Sequence, residues 1–245
     1  MELAMKERYL HAVELLRDQI SIAMFEKYPF SLPFIRDLHS LEIDPCVTII
    51  IGENGSGKST LLEAVAVAWG FNPEGGTRHF NFSTHDSHSE LYEHIRLVKG
   101  IKMPQNGFFL RAESFYNVAT QIDAYGVSKY YGGKSLHEQS HGEAFFATFM
   151  NKFTGNGLYI LDEPEAALSP MRQLAMLARI HDLVEDKSQF IIATHSPIIM
   201  GYPGAKILQV SDKGIESVEY EATEHYMLTK QFIDKRERML KLLME

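Results

Sequence analysis

The stretch that decides the fold is DPCVTIIIGENGSGKSTLLEAVAVAWG, residues 44–70. It opens with a β-branched run at residues 47–51, which predicts a buried strand. A glycine-rich loop follows, and the apolar spacing of residues 59–69 then predicts a helix. A strand that leads through a glycine loop into a helix is typical of an α/β fold.

The loop at residues 52–59, GENGSGKS, satisfies the spacing G-x-x-x-x-G-K-[ST] at each fixed position. Its glycines let the backbone wrap around phosphate oxygens, and the helix N-terminus adds a favourable dipole. We expect Lys58 to contact the β- and γ-phosphates and to act in catalysis, Ser59 to be a magnesium ligand, and Thr60 to donate to a phosphate. The residues predicted to contact the nucleotide here are Gly52, Glu53, Asn54, Gly55, Ser56, Gly57, Lys58, Ser59 and Thr60.

Polar residues also lie at the carboxyl ends of two further buried apolar strands. Ligands bind at these strand ends in parallel sheets. In GLYILDEP, residues 157–164, Asp162 suits the outer shell of Mg²⁺ and Glu163 suits the base that orients an attacking water. The alternative role for this acidic pair is capping of the next helix, which Glu165 and Ser169 could also supply. In QFIIATHSP, residues 189–197, His195 is placed to reach a γ-phosphate and to act in catalysis.

Four motifs follow one another along the chain: GENGSGKST, QSHGE, LYILDEP and IIATHSP. This order resembles that of the ABC-type ATPases. LDEPEAALSP and Ser-x-Gly-Glu are similar to the Rad50, SMC and OLD-like branch and to small stand-alone bacterial ATPases. The resemblance implies an α/β P-loop NTPase fold of ABC-ATPase type, with a mostly parallel central sheet, an antiparallel β lobe and a helical subdomain. It also implies ATP and Mg²⁺ as cofactors.

The resemblance places Ser140, Gly142 and Glu143 on the signature motif of that family. There the motif docks across a head-to-tail dimer onto the γ-phosphate held by the other subunit, so an ATP-dependent homodimer is implied. Ser140 and Glu143 also have the spacing of a simple capping box, and both roles are compatible.

Three positions depart from the family pattern. His141 stands in place of the first signature glycine, and Ser169 stands where many members have aspartate. The strand that usually precedes a glutamine loop is FFLRAES here, in which Glu113 is a candidate for holding magnesium or water. Tyr28, Phe30 and Phe34 are candidates for stacking on adenine.

The predicted organisation is a single ABC-type ATPase domain over residues 1–245. It divides into an N-terminal β lobe at about 1–46, a helical signature lobe at about 114–155, and a C-terminal hairpin and helix at about 205–245. Residues 87–100 are predicted as a helix capped by Ser87. The terminal helix, 223–243, is predicted to bury Leu228, Phe232, Met239 and Leu243.

The composition narrows the possible roles. A net charge of −8 argues against a strongly basic surface of the kind that binds nucleic acid. A local basic patch could still bind it, so nucleic acid is kept as an unproven partner. No apolar run is long enough to span a bilayer, and the single cysteine, Cys46, fits a cytoplasmic protein. We therefore expect a soluble Mg²⁺-dependent ATPase that acts as a dimeric switch on an unidentified partner, DNA-related or defence-related, with a membrane partner disfavoured. The alternative is the ATP-binding subunit of a membrane transporter.

Overall fold

A computed structural model of the protein describes residues 9–44, 46–78, 89–124 and 140–244. The strands are β1 (Leu10–Leu15), β2 (Ser40–Glu42), β3 (Val47–Gly52), β4 (Ile95–Lys99), β5 (Asn106–Arg111), β6 (Gly157–Asp162), β7 (Gln189–Ala193), β8 (Lys206–Ser211) and β9 (Gly214–Val218). The helices are α1 (Pro33–Asp37), α2 (Lys58–Trp69), α3 (Phe115–Ala124), α4 (His141–Lys152), α5 (Pro170–Glu185), α6 (Pro197–Met200), α7 (Glu224–Asp234) and α8 (Arg236–Met244).

The central sheet has the strand order β5-β6-β7-β3-β8-β9. All its neighbouring strands run parallel except the final pair, β8 and β9, which is antiparallel. Every residue of β6 and β7 is buried, as strands covered on both faces require. The predicted α/β fold with a mostly parallel sheet is therefore confirmed, and the carboxyl ends of β3, β6 and β7 lie at one edge.

An antiparallel lobe covers one face of this sheet, also as predicted. Its strand order is β2-β1-β4. The prediction of a helix over residues 87–100 is wrong, because only a 3₁₀ turn at Glu90–His94 precedes β4. In β4, Leu97 pairs with Val13 of β1, so pairing across the lobe overrides the local helical pattern. The turn is capped by Ser89, whose hydroxyl accepts from the Leu91 amide, whereas Ser87 lies outside the described residues.

Each face of the central sheet carries its own apolar core. One core is built from α3, α4, α5 and α6 and includes Phe145 and Phe149 of α4. The other packs α1, α2 and the antiparallel lobe on the opposite face, with Leu62 and Trp69 of α2 at its centre. This second core packs α2 against the sheet directly after β3, which fixes the start of that helix.

The predicted C-terminal hairpin is formed by β8 and β9, and Ser211 pairs with Gly214 next to its turn. The single terminal helix predicted from the sequence is two helices, α7 and α8. Their predicted apolar side is not buried in this chain: Leu228 is 50% exposed and Leu243 is 75% exposed. Phe232 is 40% exposed as well, whereas Met239 is partly buried. Among the described residues, no helix is both long and apolar enough to cross a membrane.

Candidate functional site

The glycine loop turns the chain from β3 into α2 through left-handed backbone conformations. Gly55 has φ +77° and Gly57 has φ +94°, values that L residues with a side chain rarely adopt. A Cβ at Gly57 would also lie 2.6 Å from Leu32 Cδ1. Glycine at position 57 therefore serves both the turn and the packing of the loop against the N-terminal lobe.

Lys58 is buried at the first position of α2 and turns its ammonium back into the loop. Its Nζ donates to Gly52 O at 2.9 Å and to Glu53 O at 2.8 Å. Burial lowers the pKa of Lys58, although the carboxylates of Glu163 and Asp162 oppose this effect. The loop thus holds a desolvated cation that is bonded to backbone carbonyls.

The predicted magnesium residues, Ser59 and Asp162, meet at the sheet edge. Ser59 Oγ donates to Asp162 Oδ1 at 3.0 Å. Asp162 is buried at the end of β6, and burial raises the pKa of its carboxyl to about 6, against the opposing influence of Arg111.

Arg111 and Glu63 form an ion pair beside these two residues that the sequence analysis did not assign to the site. Arg111 Nη1 lies 2.7 Å from Glu63 Oε2, and Arg111 Nε lies 3.4 Å from Asp162 Oδ2. Two features of the sequence indicate these residues. Glu63 lies one helical turn beyond Ser59, and Arg111 is a charged residue at the end of a buried strand. The alternative candidate, Glu113, points largely into solvent and lies 3.6 Å from Arg111 Nη2.

Glu163 and His195 face each other across the ends of β6 and β7. Glu163 adopts a left-handed backbone with φ 49°, and its Oε1 lies 3.7 Å from His195 Nε2. Such a conformation is uncommon for a residue with a side chain and is concentrated at functional sites. Burial and the nearby Lys58 lower the pKa of His195, so its ring is held neutral near pH 7.

Glu165 has a role other than helix capping. Its carboxylate accepts from Thr194 Oγ1 at 2.7 Å and from the backbone N–H of His195. Ser169 occupies the N-cap position of α5 but makes no side-chain capping bond. Glu165 therefore fixes the backbone that presents His195.

The predicted signature residues lie at the start of α4. Ser140 and Glu143 form a capping box, in which Glu143 N donates to Ser140 Oγ at 3.4 Å and Ser140 N donates to Glu143 Oε2 at 3.1 Å. Gly142 is packed against the turn after β6, because a Cβ there would lie 2.3 Å from Ala167 O. These contacts are made within one chain, so the motif has a local structural role whatever it does in an assembly.

Of the three aromatic candidates, only Tyr28 is accessible. It is 63% exposed, and its hydroxyl is hydrogen-bonded to Thr60 Oγ1, whereas Phe30 and Phe34 are buried in the core. Tyr28 also lines a cavity of about 410 Å³ together with the loop, Lys58, Ser59, Thr60 and Glu163. The cavity opens directly beside the loop.

Part of the chain matches a known protein family. Residues 19–130 match the family model described as an AAA domain. This match, which spans a little under half of the chain, supports a P-loop ATPase domain. The matched residues include the loop, α2 and Arg111, and they agree with the predicted P-loop ATPase of ABC type.

Two curated relatives of this ABC-type domain are transporter components. The energy-coupling factor transporter ATP-binding protein EcfA2 of Leuconostoc mesenteroides subsp. mesenteroides is 23% identical over 198 residues, which cover 73% of this chain and 70% of that protein. The thiamine import ATP-binding protein ThiQ of Vibrio cholerae serotype O1 is 28% identical over 170 residues, which cover 62% of this chain and 69% of that protein. The expectation that disfavoured a membrane partner therefore has no support from these relatives.

Solved structures that match the chain include a part of an ABC transporter complex and an SMC head domain. CbiO1 from Clostridium perfringens, part of the ABC transporter complex cbiONQ, is 18% identical with a TM-score of 0.49, covering 98% of this chain and 100% of that one. The SMC head domain from Thermotoga maritima is 17% identical with a TM-score of 0.40, covering 74% of this chain and 93% of that one.

Proposed function

We propose that this chain binds ATP with Mg²⁺, hydrolyses it to ADP and phosphate, and closes as a head-to-tail homodimer while ATP is bound. The observation that carries the proposal is the meeting of Ser59 Oγ and Asp162 Oδ1 at 3.0 Å, beside Lys58 and Glu163. The whole chain, 1–245, acts as one domain in this proposal, and we propose a cytoplasmic location for it.

The loop fits a polyphosphate. Ser56 Oγ is buried without a hydrogen-bond partner among the described residues, as expected of a loop shaped for a ligand. Among the described residues, Lys58 donates hydrogen bonds only to backbone carbonyls. Anionic phosphate oxygens would bind its ammonium more strongly than these neutral carbonyls do. Exposed Tyr28 is the aromatic we propose for contact with adenine.

The site also fits Mg²⁺, which prefers oxygen ligands. Ser59 and Asp162 would hold the ion, because their oxygens already lie 3.0 Å apart. When bound, Mg²⁺ supplies neutralisation of phosphate charge. A cation at this position would also favour the ionised form of Asp162, which burial otherwise disfavours.

Glu163 and His195 are the residues we propose for the chemistry, together with Lys58. Glu163 is partly exposed and aimed by its left-handed backbone at the cavity, so its carboxylate can accept a proton from an attacking water. Neutral His195 can donate from Nε2 to the γ-phosphate. Lys58 would stabilise the charge on the β- and γ-phosphates.

The dimer is proposed from the resemblance of the motif at the start of α4 to the family signature. An incoming phosphate would replace the Glu143 carboxylate as the acceptor of the Ser140 hydroxyl, which donates to Glu143 Oε2 at 2.7 Å. Ser140 is exposed there, and the helix N-terminus carries a partial positive charge. In a head-to-tail dimer Ser140, Gly142 and Glu143 of one chain would lie over the Lys58 of the other.

A transporter subunit is the second candidate, favoured by the names of the two curated relatives. In that case the chain would co-purify with a membrane protein from its native source. A switch that acts on nucleic acid would instead show faster phosphate release when DNA is added.

The proposal is tested by phosphate release and molar mass of the purified chain with Mg²⁺ and ATP. We expect slow hydrolysis by the wild type and loss of both ATP binding and hydrolysis in Lys58→Ala. Lys230→Ala is the matched control, because Lys230 is a surface residue paired with Asp234. Wild-type turnover by Lys58→Ala would contradict the assignment.

A further inference from the structure

A second histidine contacts the strand-end histidine of the nucleotide site. His225, in the first turn of α7, has its Nε2 3.3 Å from His195 Nδ1. The ring centroids are 5.5 Å apart. His225 lies 30 positions beyond His195, in a region with no recognised nucleotide motif.

The start of α7 is tied firmly to the segment that follows His195. Thr223 is buried as the N-cap of α7, accepts from Tyr226 N at 3.3 Å and donates to Tyr220 O at 2.7 Å. Tyr220 Oη in turn donates to Pro197 O at 2.9 Å, two residues after His195. The contact between the histidines is therefore built into the fold by three separate hydrogen bonds.

Hydrogen-bond chemistry restricts which nitrogen of each ring carries its proton. Burial, Lys58 and His225 all lower the pKa of His195, so the ring is neutral near pH 7 and has one donor and one acceptor nitrogen. His195 Nε2 is buried without a hydrogen-bond partner among the described residues and lies on the Glu163 side. A γ-phosphate there needs a donor, so Nε2 must carry the proton and Nδ1 must accept.

We infer that His225 is a positioning residue, which donates from Nε2 to His195 Nδ1 and so holds His195 in the tautomer whose Nε2–H faces the phosphate site. This inference rests on the proposed function, since it takes the γ-phosphate as the acceptor of that proton. It makes the first turn of α7 part of the nucleotide site.

The first test measures the tautomer directly in the nucleotide-free protein by ¹⁵N NMR of the histidine side chains. His195→Gln serves to assign the His195 signals. In the wild type we expect Nε2 of His195 to be protonated and Nδ1 to be an acceptor. The same state should persist in His225→Gln, whose amide retains a donor, and should become a mixture of tautomers in His225→Leu.

The second test compares the steady-state kinetics of the same variants. His225→Leu should lose about tenfold in kcat with an unchanged KM for ATP, because the contact of His195 strengthens as charge develops on the phosphate. His225→Gln should retain most of the turnover. His181→Leu, a change at an exposed histidine of α5, is the matched control and should resemble the wild type.

The outcomes separate this inference from the proposed function. A wild-type His195 that carries its proton on Nδ1 would overturn the inference even if no His225 variant folded. So would a His225→Leu protein with unchanged tautomer and kcat. If the proposed function is wrong, the wild type will show no more turnover than Lys58→Ala. The NMR measurement needs no nucleotide, so it reports on the tautomer in either case.

Discussion

Ser59 Oγ donates a hydrogen bond to Asp162 Oδ1 at 3.0 Å, although the two residues are 103 positions apart. The bond joins the first turn of α2, which follows β3, to the end of β6, and β7 lies between those two strands in the sheet. Two motifs that are separate in sequence therefore supply adjacent oxygens to one site.

Replacement of Glu163 by Gln should separate binding from turnover. The change removes the proposed base and leaves Lys58, Ser59 and Asp162 in place, so ATP should bind while kcat falls by about 10²-fold or more. The variant should accumulate as an ATP-bound dimer, which light scattering detects. Glu221→Gln, at an exposed position, is the control. A Glu163→Gln protein that stays monomeric at every ATP and protein concentration would count against the closed dimer.

The Arg111–Glu63 ion pair should contribute to stability. The Arg111 side chain is 15% exposed and that of Glu63 is 14% exposed. Arg111→Met leaves the carboxylates of Glu63 and Asp162 without their cation and should cost about 3–5 kcal/mol of unfolding free energy. Adding Glu63→Gln should recover part of this loss, because it removes one of the stranded charges.

Urea denaturation of the two single variants and the double variant measures this coupling. The matched control is Arg96→Met, since Arg96 pairs with Glu14 on the surface, and it should cost about 1 kcal/mol or less. Equal losses for Arg111→Met and Arg96→Met would show that the buried pair has no special role.

Asp162 should make the stability depend on pH. Its folded pKa, about 6, lies above the ordinary value of 3.8, so the folded state holds the proton more tightly than the unfolded state. The stabilising contribution is therefore present below about pH 4 and is lost as the pH rises through about 6, which amounts to about 3 kcal/mol. Asp162→Asn removes this titration, so the unfolding free energy of wild type minus variant should fall across that range. Parallel pH profiles for the two proteins would contradict it.

Local motifs explain why much of the site could be predicted from the sequence. The glycine loop, Lys58 and the acidic end of β6 are each specified within a few residues by a strand, a turn and a charge. Because the strands are parallel, their carboxyl ends lie at the same edge of the sheet, and this alone brings these residues together.

The remaining features depend on tertiary contacts that no short stretch encodes. Residues 95–99 have a helical pattern but form β4, because β1 supplies a partner strand. The role of Arg111 depends on its register opposite Asp162, which only strand pairing fixes. His225 reaches His195 because of the path of the chain through the β8–β9 hairpin.

The measurement that tests the central claim most directly is phosphate release from two inactive variants, alone and mixed. Lys58→Ala lacks phosphate binding, and Ser140→Arg places a bulky cation at the proposed seam. Ser140→Ala controls for the lost cap, worth about 1 kcal/mol, and should stay more active than Ser140→Arg.

In a mixed head-to-tail dimer one site combines both defects, while the other has an intact Lys58 and an intact Ser140. A random equimolar mixture should therefore regain about a quarter of wild-type turnover, since half of the dimers are mixed and each has one working site. No recovery in a sample whose heterodimers are verified by mass spectrometry would contradict the shared site.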